Sequence, residues 1–324
     1  DFYNEFKPIR NKLKELNVYD NLYVIRQYYS AVKTNFWRGL GYIEKSEYNR
    51  ILPEVMDFLI ANSILYSNEY KSDISIRSNY YRGRFMEKVN RLDDDVNKYN
   101  IDKEPWLWLK SSIFNQESMM CNKYKSINIA YRYMNVYSDS IIQNLIEEKL
   151  GLSYKDYIWI TIWLYSKFSD TTKWIKEEYF TKIKETYEST PFNRVNCKLV
   201  LDSLTADIPT LKTQIKKTIS YSNVGIFNFV YSAHMCYPII KRDNLLFCTI
   251  PDYIIKQATS GLYYTIDIPN EPQLNNAYGK GFEKHIGDIL KRCNSKRSYS
   301  YLPELRTKGK REKIKDKRQK TKVK

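Results

Sequence analysis

The chain has 324 residues, of which 43% are hydrophobic, and it carries a formal net charge of +16. This length is enough for one large or two ordinary domains, and the apolar content is enough for a buried core. Residues 291–324 hold 15 Lys and Arg against 3 Asp and Glu, which indicates a basic C-terminal tail on a nearly neutral body and excludes a uniformly basic protein.

Cysteine and histidine usage excludes several kinds of site. The five cysteines are widely spaced and form no C-x-x-C pair. This predicts reduced thiols in a cytoplasmic protein rather than a disulfide framework or a zinc site. Only two histidines are present, so a His-rich metal site is excluded. The most membrane-like run, Ile158–Tyr165, is far shorter than the roughly 20 residues that a membrane span requires, so we predict no membrane contact.

Most of the predicted elements are helices. We expect an irregular lead-in or the end of a preceding element over Asp1–Lys14, and the apolar spacing that follows is helical in most segments up to residue 221. The predicted helices are Val18–Lys33, Glu47–Tyr66 with Pro53 as a kink or a start, Lys125–Tyr137, Asp139–Leu150, Tyr154–Phe168, Asp170–Tyr187, Phe192–Ala206 and Ile208–Tyr221. Gly151 is the expected C-cap of one helix and Ser153 the N-cap of the next. The polar Tyr70–Tyr99 stretch is interpreted as a solvated helix or arm.

A different pattern begins near Gly225. The apolar runs Cys236–Ile240 and Leu245–Ile250 flank four polar residues, which predicts a β-hairpin, and Leu262–Ile268 is a predicted third strand. A helix is then predicted to begin at Gly279-Lys280-Gly281, with Phe282, Ile286, Ile289, Leu290 and Cys293 in one apolar stripe on its buried face. We therefore predict a mainly α protein, with a helical domain over 1–222, a small α+β module (hairpin, strand and helix) over 223–305 and a disordered basic tail over 306–324.

The later segments together resemble a known family. The order YPII, LLFCTIP, TSGLYY and YGKGFEKHIGDIL, over about residues 225–305, is similar to a region of large bacterial proteins that leads into a C-terminal nuclease domain. That domain belongs to the restriction-endonuclease-like (PD-(D/E)xK) superfamily. The Gly281–Ile286 segment resembles the opening helix of the superfamily, and the resemblance marks Glu283 as a candidate acid near its metal.

The chain departs from the catalytic pattern of that superfamily. The resemblance implies an Asp on one strand and a Glu-x-Lys on the next, which together hold Mg²⁺ and activate a water. After Cys293 only Tyr299–Leu305 is a candidate strand, and it carries neither element. We therefore expect that the chain is a fragment or a truncated relative of such a nuclease and that it does not cleave DNA as given. The chain begins at Asp1 rather than at a methionine, which adds to this expectation. Mg²⁺ is expected only where a complete nuclease core follows, and without it Glu283 is also interpreted as a plain surface carboxylate.

The other candidate side chains are assigned structural roles. His285 lies at the edge of the predicted buried face and is interpreted as a structural histidine. His234 has no carboxylate or nucleophile at an informative spacing. Cys197 and Cys236 are predicted to be buried as small hydrophobic residues. The acidic triplet Asp93–Asp95 is interpreted as a solvated face, because consecutive carboxylates on a helix point in different directions.

The basic tail is the candidate nucleic-acid contact. Its predicted DNA-binding residues are Lys308, Lys310, Arg311, Lys313, Lys315, Lys317, Arg318 and Lys320. Such a run would bind phosphates through counterion release, without sequence specificity. A lysine-rich composition would also make the tail basic without any binding role, so both interpretations stay open.

The sequence leaves three hypotheses about function open. The first is a non-catalytic part of a bacterial DNA-processing nuclease-type protein, of the genome-defence kind, which contacts DNA through its C-terminal end. The alternative is a non-enzymatic helical scaffold whose helices bind a protein partner. A third hypothesis is RNA binding through aromatic side chains such as Tyr80, Tyr81 and Trp106, for which a preference for single strands would be the mark.

Overall fold

A computed structural model describes five stretches of the chain, residues 2–37, 53–70, 123–181, 192–218 and 233–293. The predicted tail, the predicted boundary near residue 222, the acidic triplet and the aromatic residues proposed for RNA binding lie outside these stretches, and their predictions stay predictions. Within the described residues the protein is mainly helical with one small sheet, and the predicted fold class is confirmed.

The elements follow one another in a mostly helical order. They are α1 (Phe2–Glu15), α2 (Val18–Trp37), α3 (Pro53–Tyr66), α4 (Lys123–Val136), α5 (Ser140–Leu150), α6 (Tyr154–Ser169), β1 (Ile175–Lys176), α7 (Glu178–Thr181), α8 (Arg194–Ser203), β2 (Thr205–Asp207), α9 (Ile208–Thr218), α10 (Ala233–Cys236), β3 (Ile239–Arg242), β4 (Leu245–Cys248), α11 (Asp252–Lys256), a π-helical segment (Gln257–Gly261), α12 (Leu262–Thr265), a 3-10 turn (Ile268–Asn270) and α13 (Pro272–Cys293).

The N-terminal residues form a helix, and the predicted irregular lead-in is wrong. α1 keeps Pro8 in its interior. Phe6, Ile9 and Leu13 are almost completely buried, and they are three or four residues apart, so a helix brings them to one face. That face packs against α3. Burial of these large side chains outweighs the cost of the proline in this helix.

The described part of the predicted Asp170–Tyr187 helix is also corrected. α6 ends at Ser169, and the chain continues as β1 and the short α7. Arg26 of α2 donates through Nη2 to the carbonyl oxygens of Phe168, at 2.8 Å, and Thr171, at 2.9 Å. Because a side chain from another helix takes these acceptors, the carbonyls at the end of α6 are satisfied without further helical turns.

Two predicted helix caps are confirmed. Gly151 follows α5 with a φ of 75°, and its N–H donates to the carbonyl oxygen of Glu147. The side chain of Ser153 accepts from the backbone N–H of Asp156 at 3.2 Å and begins α6. The turn between α5 and α6 is therefore set by local sequence, with a left-handed glycine and a hydroxyl cap in succession.

The sheet has the strand order β1-β4-β3-β2. β3 and β4 form the predicted hairpin, with Ile240 opposite Phe247. Asp243 in its turn has a φ of 54°, a conformation that aspartate adopts more readily than most residues. β1 is antiparallel to β4, and β2 is parallel to β3. The sheet thus joins strands from both sides of residue 222, whereas the sequence placed every strand in the later module.

The predicted third strand, Leu262–Ile268, is helical and the prediction is wrong. α11, the π-helical segment and α12 follow one another without a break. Two tyrosine hydroxyls donate to backbone carbonyls of the π-helical segment, Tyr154 to Ala258 at 2.9 Å and Tyr137 to Thr259 at 2.7 Å. These tertiary contacts override the strand preference of the aromatic residues in this segment.

Hydrophobic clusters cover both faces of the sheet. Ile240 and Phe247 belong to a cluster with α1, α2, α3 and α9, whereas Ile239 and Leu246 belong to a cluster with α4, α5, α6 and α8. Neighbouring residues on a strand point to opposite faces. The sheet therefore separates two hydrophobic cores and contributes side chains to both. α13 packs on the core that contains α4, α5, α6 and α8.

Candidate functional site

α13 carries Glu283, the one residue that the family resemblance marks for catalysis. The helix packs against α4 and also contacts α5. Gly281 is buried, and a methyl group added to it would lie 2.1 Å from the carbonyl oxygen of Val136. Ala277 and His285, four residues to either side, are also buried. α13 therefore rests on α4 by a narrow face on which Gly281 leaves no room for a side chain.

The apolar stripe of α13 faces outward. Phe282, Ile286, Ile289 and Leu290 are 44%, 37%, 42% and 40% exposed, respectively. At about 100° per residue, they are centred about 125° around the helix from Gly281, so contact with α4 does not cover them. The prediction that this stripe forms the buried face of the helix is wrong. We call these four residues the α13 stripe.

Glu283 lies on the outer side of the same helix. It is partly buried and stands about 200° around the helix from Gly281. Within the described stretches, no group of three or more His, Cys, Asp or Glu side chains is placed to hold a metal ion. The position of Glu283 fits the interpretation as a surface carboxylate beside the α13 stripe.

Lysines occupy the opposite flank of α13. Lys280, Lys284 and Lys291 are exposed and lie about 260–300° around the helix from Gly281. The helix therefore presents apolar side chains on one flank and ammonium groups on the other, with Glu283 between them. The tail residues predicted to bind DNA lie beyond the described part of the chain.

His285 lies in the contact between α13 and α4. The side chain is 5% exposed, and its Nδ1 is 3.5 Å from Nδ2 of Asn135. Burial lowers the pKa of His285, and the positive charge of Arg132 lowers it further. Both effects favour the neutral imidazole, which fits the structural role predicted for this residue.

A polar cluster that the sequence did not predict joins α3, α10 and α11. The Nε2 atom of His234 lies 3.1 Å from Oδ1 of Asp57, and the hydroxyl of Tyr253 donates to the same oxygen. His234 and Tyr253 are almost completely buried. Asp57 precedes His234 by 177 residues, so no local spacing could reveal the pair. The one signal in the sequence is a carboxylate that interrupts the apolar run of α3.

Asp57 and His234 are side chains that can act as a general acid and base, but here the groups of the cluster contact one another. Oδ1 of Asp57 accepts from Tyr253 and lies at hydrogen-bond distance from His234. Its Oδ2 is buried without a hydrogen-bond partner in the described structure. A general base must reach the proton that it removes, and here the carboxylate instead ties α3 to the helices beside the hairpin. We assign the cluster a structural role.

A buried tyrosine and two cysteines keep their protons near neutral pH. The Tyr29 hydroxyl donates to Asp252, and burial, reinforced by that carboxylate, raises the pKa of Tyr29 well above its ordinary value. Burial raises the pKa of both Cys197 and Cys236 to about 11. Thiols with such pKa values are mostly protonated and unreactive near neutral pH. The prediction that these cysteines are buried small side chains is confirmed for Cys197, whereas Cys236 is only partly buried.

Comparison with known proteins gives no relative. No protein-family model matches the chain, and no curated protein or solved structure is significantly similar to it. The similarity to the lead-in of a restriction-endonuclease-like domain therefore stays a prediction from residues 225–305. None of the described helices combines the length and the apolar character needed to cross a membrane.

Proposed function

We propose that this chain is a non-catalytic interaction module of a bacterial nuclease-type protein, and that it binds another folded protein domain through the α13 stripe. The observation that carries the proposal is the outward position of this stripe, with exposed fractions of 37–44%. Large apolar side chains aligned on a surface are typical of protein-binding sites rather than of solvated surfaces.

The stripe has the physical properties of a binding site. Phe282 supplies an aromatic side chain at one end, and interface cores are enriched in aromatic residues. The helix that carries it is fixed to the body, because Gly281 meets the backbone of Val136 and His285 is buried against α4. A rigidly held face loses little conformational entropy when a partner binds, which favours affinity.

The nuclease affiliation rests on the family resemblance, which places the opening helix of a nuclease core in α13. In such a core the helix would pack against the strands that follow it, and the α13 stripe is the face available for that contact. A separate protein partner would use the same face, as in the scaffold alternative. Because the strands that the structure describes carry no Glu-x-Lys next to a strand with an Asp, we expect no DNA cleavage with Mg²⁺ or Mn²⁺.

A specific observation also favours DNA contact as a second function. The exposed row of Lys280, Lys284 and Lys291 leads along α13 toward the basic end of the chain, whose residues 308–324 hold ten Lys and Arg against two acids. The row would add phosphate contacts to those of the tail. Binding that loses affinity steeply with salt would identify this electrostatic contact.

The stripe is tested with Ile286→Asp and a matched control, Gln273→Asp, which adds the same charge at an exposed position of the same helix. A protein that co-purifies with the wild-type chain and with the Gln273 variant, but not with the Ile286 variant, is the expected result. If the Ile286 variant retains the same proteins with the same yield, the stripe is not a binding site. Metal-dependent cleavage of DNA would overturn the non-catalytic assignment.

The DNA contact is tested by titrating salt against DNA binding for three chains. These are the wild type, the triple variant Lys280→Gln, Lys284→Gln, Lys291→Gln, and a chain that ends at residue 305. Replacing the lysine row is expected to reduce the salt slope by about one for each phosphate that the row neutralises in the wild type. If the triple variant keeps the wild-type slope, the row does not touch DNA, and if removal of 306–324 abolishes binding, DNA contact belongs to the tail alone.

A further inference from the structure

We propose that α6 carries a second binding surface, a pair of tryptophans with a lysine at each end, and that this surface binds single-stranded nucleic acid by stacking on its bases. The four residues are Lys155, Trp159, Trp163 and Lys167, and we call them the α6 row. The inference does not depend on the α13 stripe or on the lysines of α13. The observation behind it is the indole of Trp159, which is 47% exposed on a helix whose other side is buried.

The α6 row follows one ridge of the helix. Its members are four residues apart, so each lies about 6 Å further along the axis and about 40° further around it than the one before. The buried residues of α6 occupy the opposite side, and Trp159 lies almost 180° around the helix from their centre. Lys155 is exposed, whereas Trp163 and Lys167 are partly buried. The row is therefore a convex ridge rather than a groove.

Aromatic contacts hold the C-terminal half of the row in place. The indole of Trp163 makes edge contacts with Phe180, at 5.6 Å between ring centroids, and with Phe192, at 6.0 Å. Tyr179 is 52% exposed and contacts the same Phe180 ring at 5.3 Å. The ammonium group of Lys167 lies 5.8 Å from the centroid of the Tyr179 ring. A second exposed aromatic ring thus lies beside the row.

The side chains of the row match the two groups that repeat along a nucleic-acid strand. Every base has a π face, and stacking on aromatic side chains binds unpaired bases with little sequence preference. Lys155 and Lys167 carry positive charge and donate hydrogen bonds without accepting any, so they suit phosphates on either side of a stacked base. Because a duplex keeps its base faces within its own stack, we expect a preference for single strands.

Acidic side chains near the row limit the electrostatic contribution. Asp156, next to Lys155, accepts a hydrogen bond at 2.9 Å from the serine hydroxyl that caps the helix. Glu178 is exposed next to Tyr179, on the side where Lys167 lies. Each lysine therefore has a carboxylate in its neighbourhood. We expect stacking on the bases, rather than contact with phosphates, to supply most of the affinity.

Two other kinds of ligand fit the row less well. A protein partner would gain by burying Val195 and Leu199, the exposed aliphatic side chains of the neighbouring α8, but it would need acidic groups placed against both lysines. A neutral sugar could stack on the indole of Trp159, but it offers no charge to the lysines. Single-stranded nucleic acid uses both features of the row at once.

The test measures binding of labelled strands to the full chain by fluorescence anisotropy. The ligands are oligothymidylate, oligouridylate, a DNA duplex of the same length and an abasic DNA strand, which keeps the phosphates but lacks the bases. The variants are Trp159→Ala, Trp159→Phe, which keeps a ring for stacking, and Val195→Ala, which removes an exposed apolar side chain from α8. Raised salt weakens binding through the basic end of the chain. Circular dichroism verifies that each variant keeps the wild-type fold.

The wild type is expected to bind oligothymidylate, oligouridylate or both more tightly than the duplex and the abasic strand. Trp159→Ala should weaken this binding at least about fivefold, through the loss of one stacked base, and should leave binding of the abasic strand unchanged. Trp159→Phe and Val195→Ala should keep the preference for strands with bases. A loss confined to oligouridylate would identify RNA as the ligand, and a loss confined to oligothymidylate would identify DNA.

Two results would overturn the proposal. One is equal affinity of the wild type for abasic strands and strands with bases, or an unchanged affinity for the latter in Trp159→Ala. The other is loss of a co-purifying protein from both Trp159→Ala and Val195→Ala while strand binding stays at the wild-type level, which would make the surface a protein-binding site. Ile286→Asp in α13 should keep the preference for bases, so failure of the α6 row and failure of the α13 stripe are observed separately.

Discussion

Replacement of Gly281 by alanine directly tests the close packing of α13 against α4. The added methyl carbon would lie 2.1 Å from the carbonyl oxygen of Val136 and 2.9 Å from its carbonyl carbon, whereas non-bonded carbon atoms prefer about 3.5 Å or more. Because the obstructing atoms are backbone, a side-chain rotation cannot relieve the contact. Overpacking costs about 1–3 kcal/mol, and the better helix propensity of alanine returns at most about 1 kcal/mol. We expect a net loss of about 1–2 kcal/mol.

Gly279→Ala is the matched control for this substitution. It lies two residues away in the same helix, and a methyl group there meets no atom within 4 Å. Only the helix-propensity gain remains, so this variant should be more stable by about 0.5–1 kcal/mol. Denaturant midpoints of the three chains give the comparison. If Gly281→Ala stabilises the protein as Gly279→Ala does, the close approach of α13 to α4 does not exist and the orientation of the stripe loses its basis.

Three further substitutions test the buried polar contacts and a cap. Tyr154→Phe should destabilise the protein by about 0.5–1.5 kcal/mol in urea unfolding, since the carbonyl of Ala258 loses the hydrogen bond from the tyrosine hydroxyl; no change would mean that this hydrogen bond does not form. Gly151→Ala forces a methyl-bearing residue to a φ of 75°, and a loss of about 1–2 kcal/mol is expected in the same assay, while an unchanged midpoint would contradict the left-handed cap. The lowered pKa of His285 means that the unfolded chain binds this proton more tightly, so stability should fall as pH decreases through and below about 6.5. His285→Gln should flatten that dependence, and an unaltered pH profile would refute the assignment.

Local features of the fold were predictable because their causes are local. The caps at Gly151 and Ser153 depend on a left-handed glycine and a side-chain acceptor, both visible in a few residues. The hairpin of β3 and β4 depends on two apolar runs and a polar turn, and it forms as predicted. In each case the stabilising contact joins residues that are close in sequence, so the local sequence pattern is enough to predict the structure.

Long-range contacts decided the elements that the sequence did not predict. β1 is two residues long and pairs with β4 from the far side of residue 222, which no alternation within two residues can show. The end of α6 depends on Arg26, more than 140 residues earlier. The Asp57 cluster likewise joins residues 177 and 196 apart. These contacts can be recognised only in the folded structure, where packing of the cores brings the helices together.

The candidate site was predicted in location but not in orientation. The sequence identified α13 and its apolar stripe, but it assumed that the largest apolar side chains face the core. Which face packs is decided by the partner surface, and at Val136 that surface is backbone that leaves no room for a side chain. The glycine at position 281, taken from sequence as part of the start of the helix, is instead the point of closest approach.

The outward orientation of the α13 stripe is not explained by packing within the described residues. A helix that packs through its buried positions could carry polar residues at all its exposed ones and keep the same contact with the body. Phe282, Ile286 and Ile289 instead leave 37–44% of their surface exposed to water, and an exposed apolar patch carries a risk of aggregation. Binding of a protein partner to the α13 stripe, as we propose, would remove this apolar surface from water and would give the exposed side chains a physical reason.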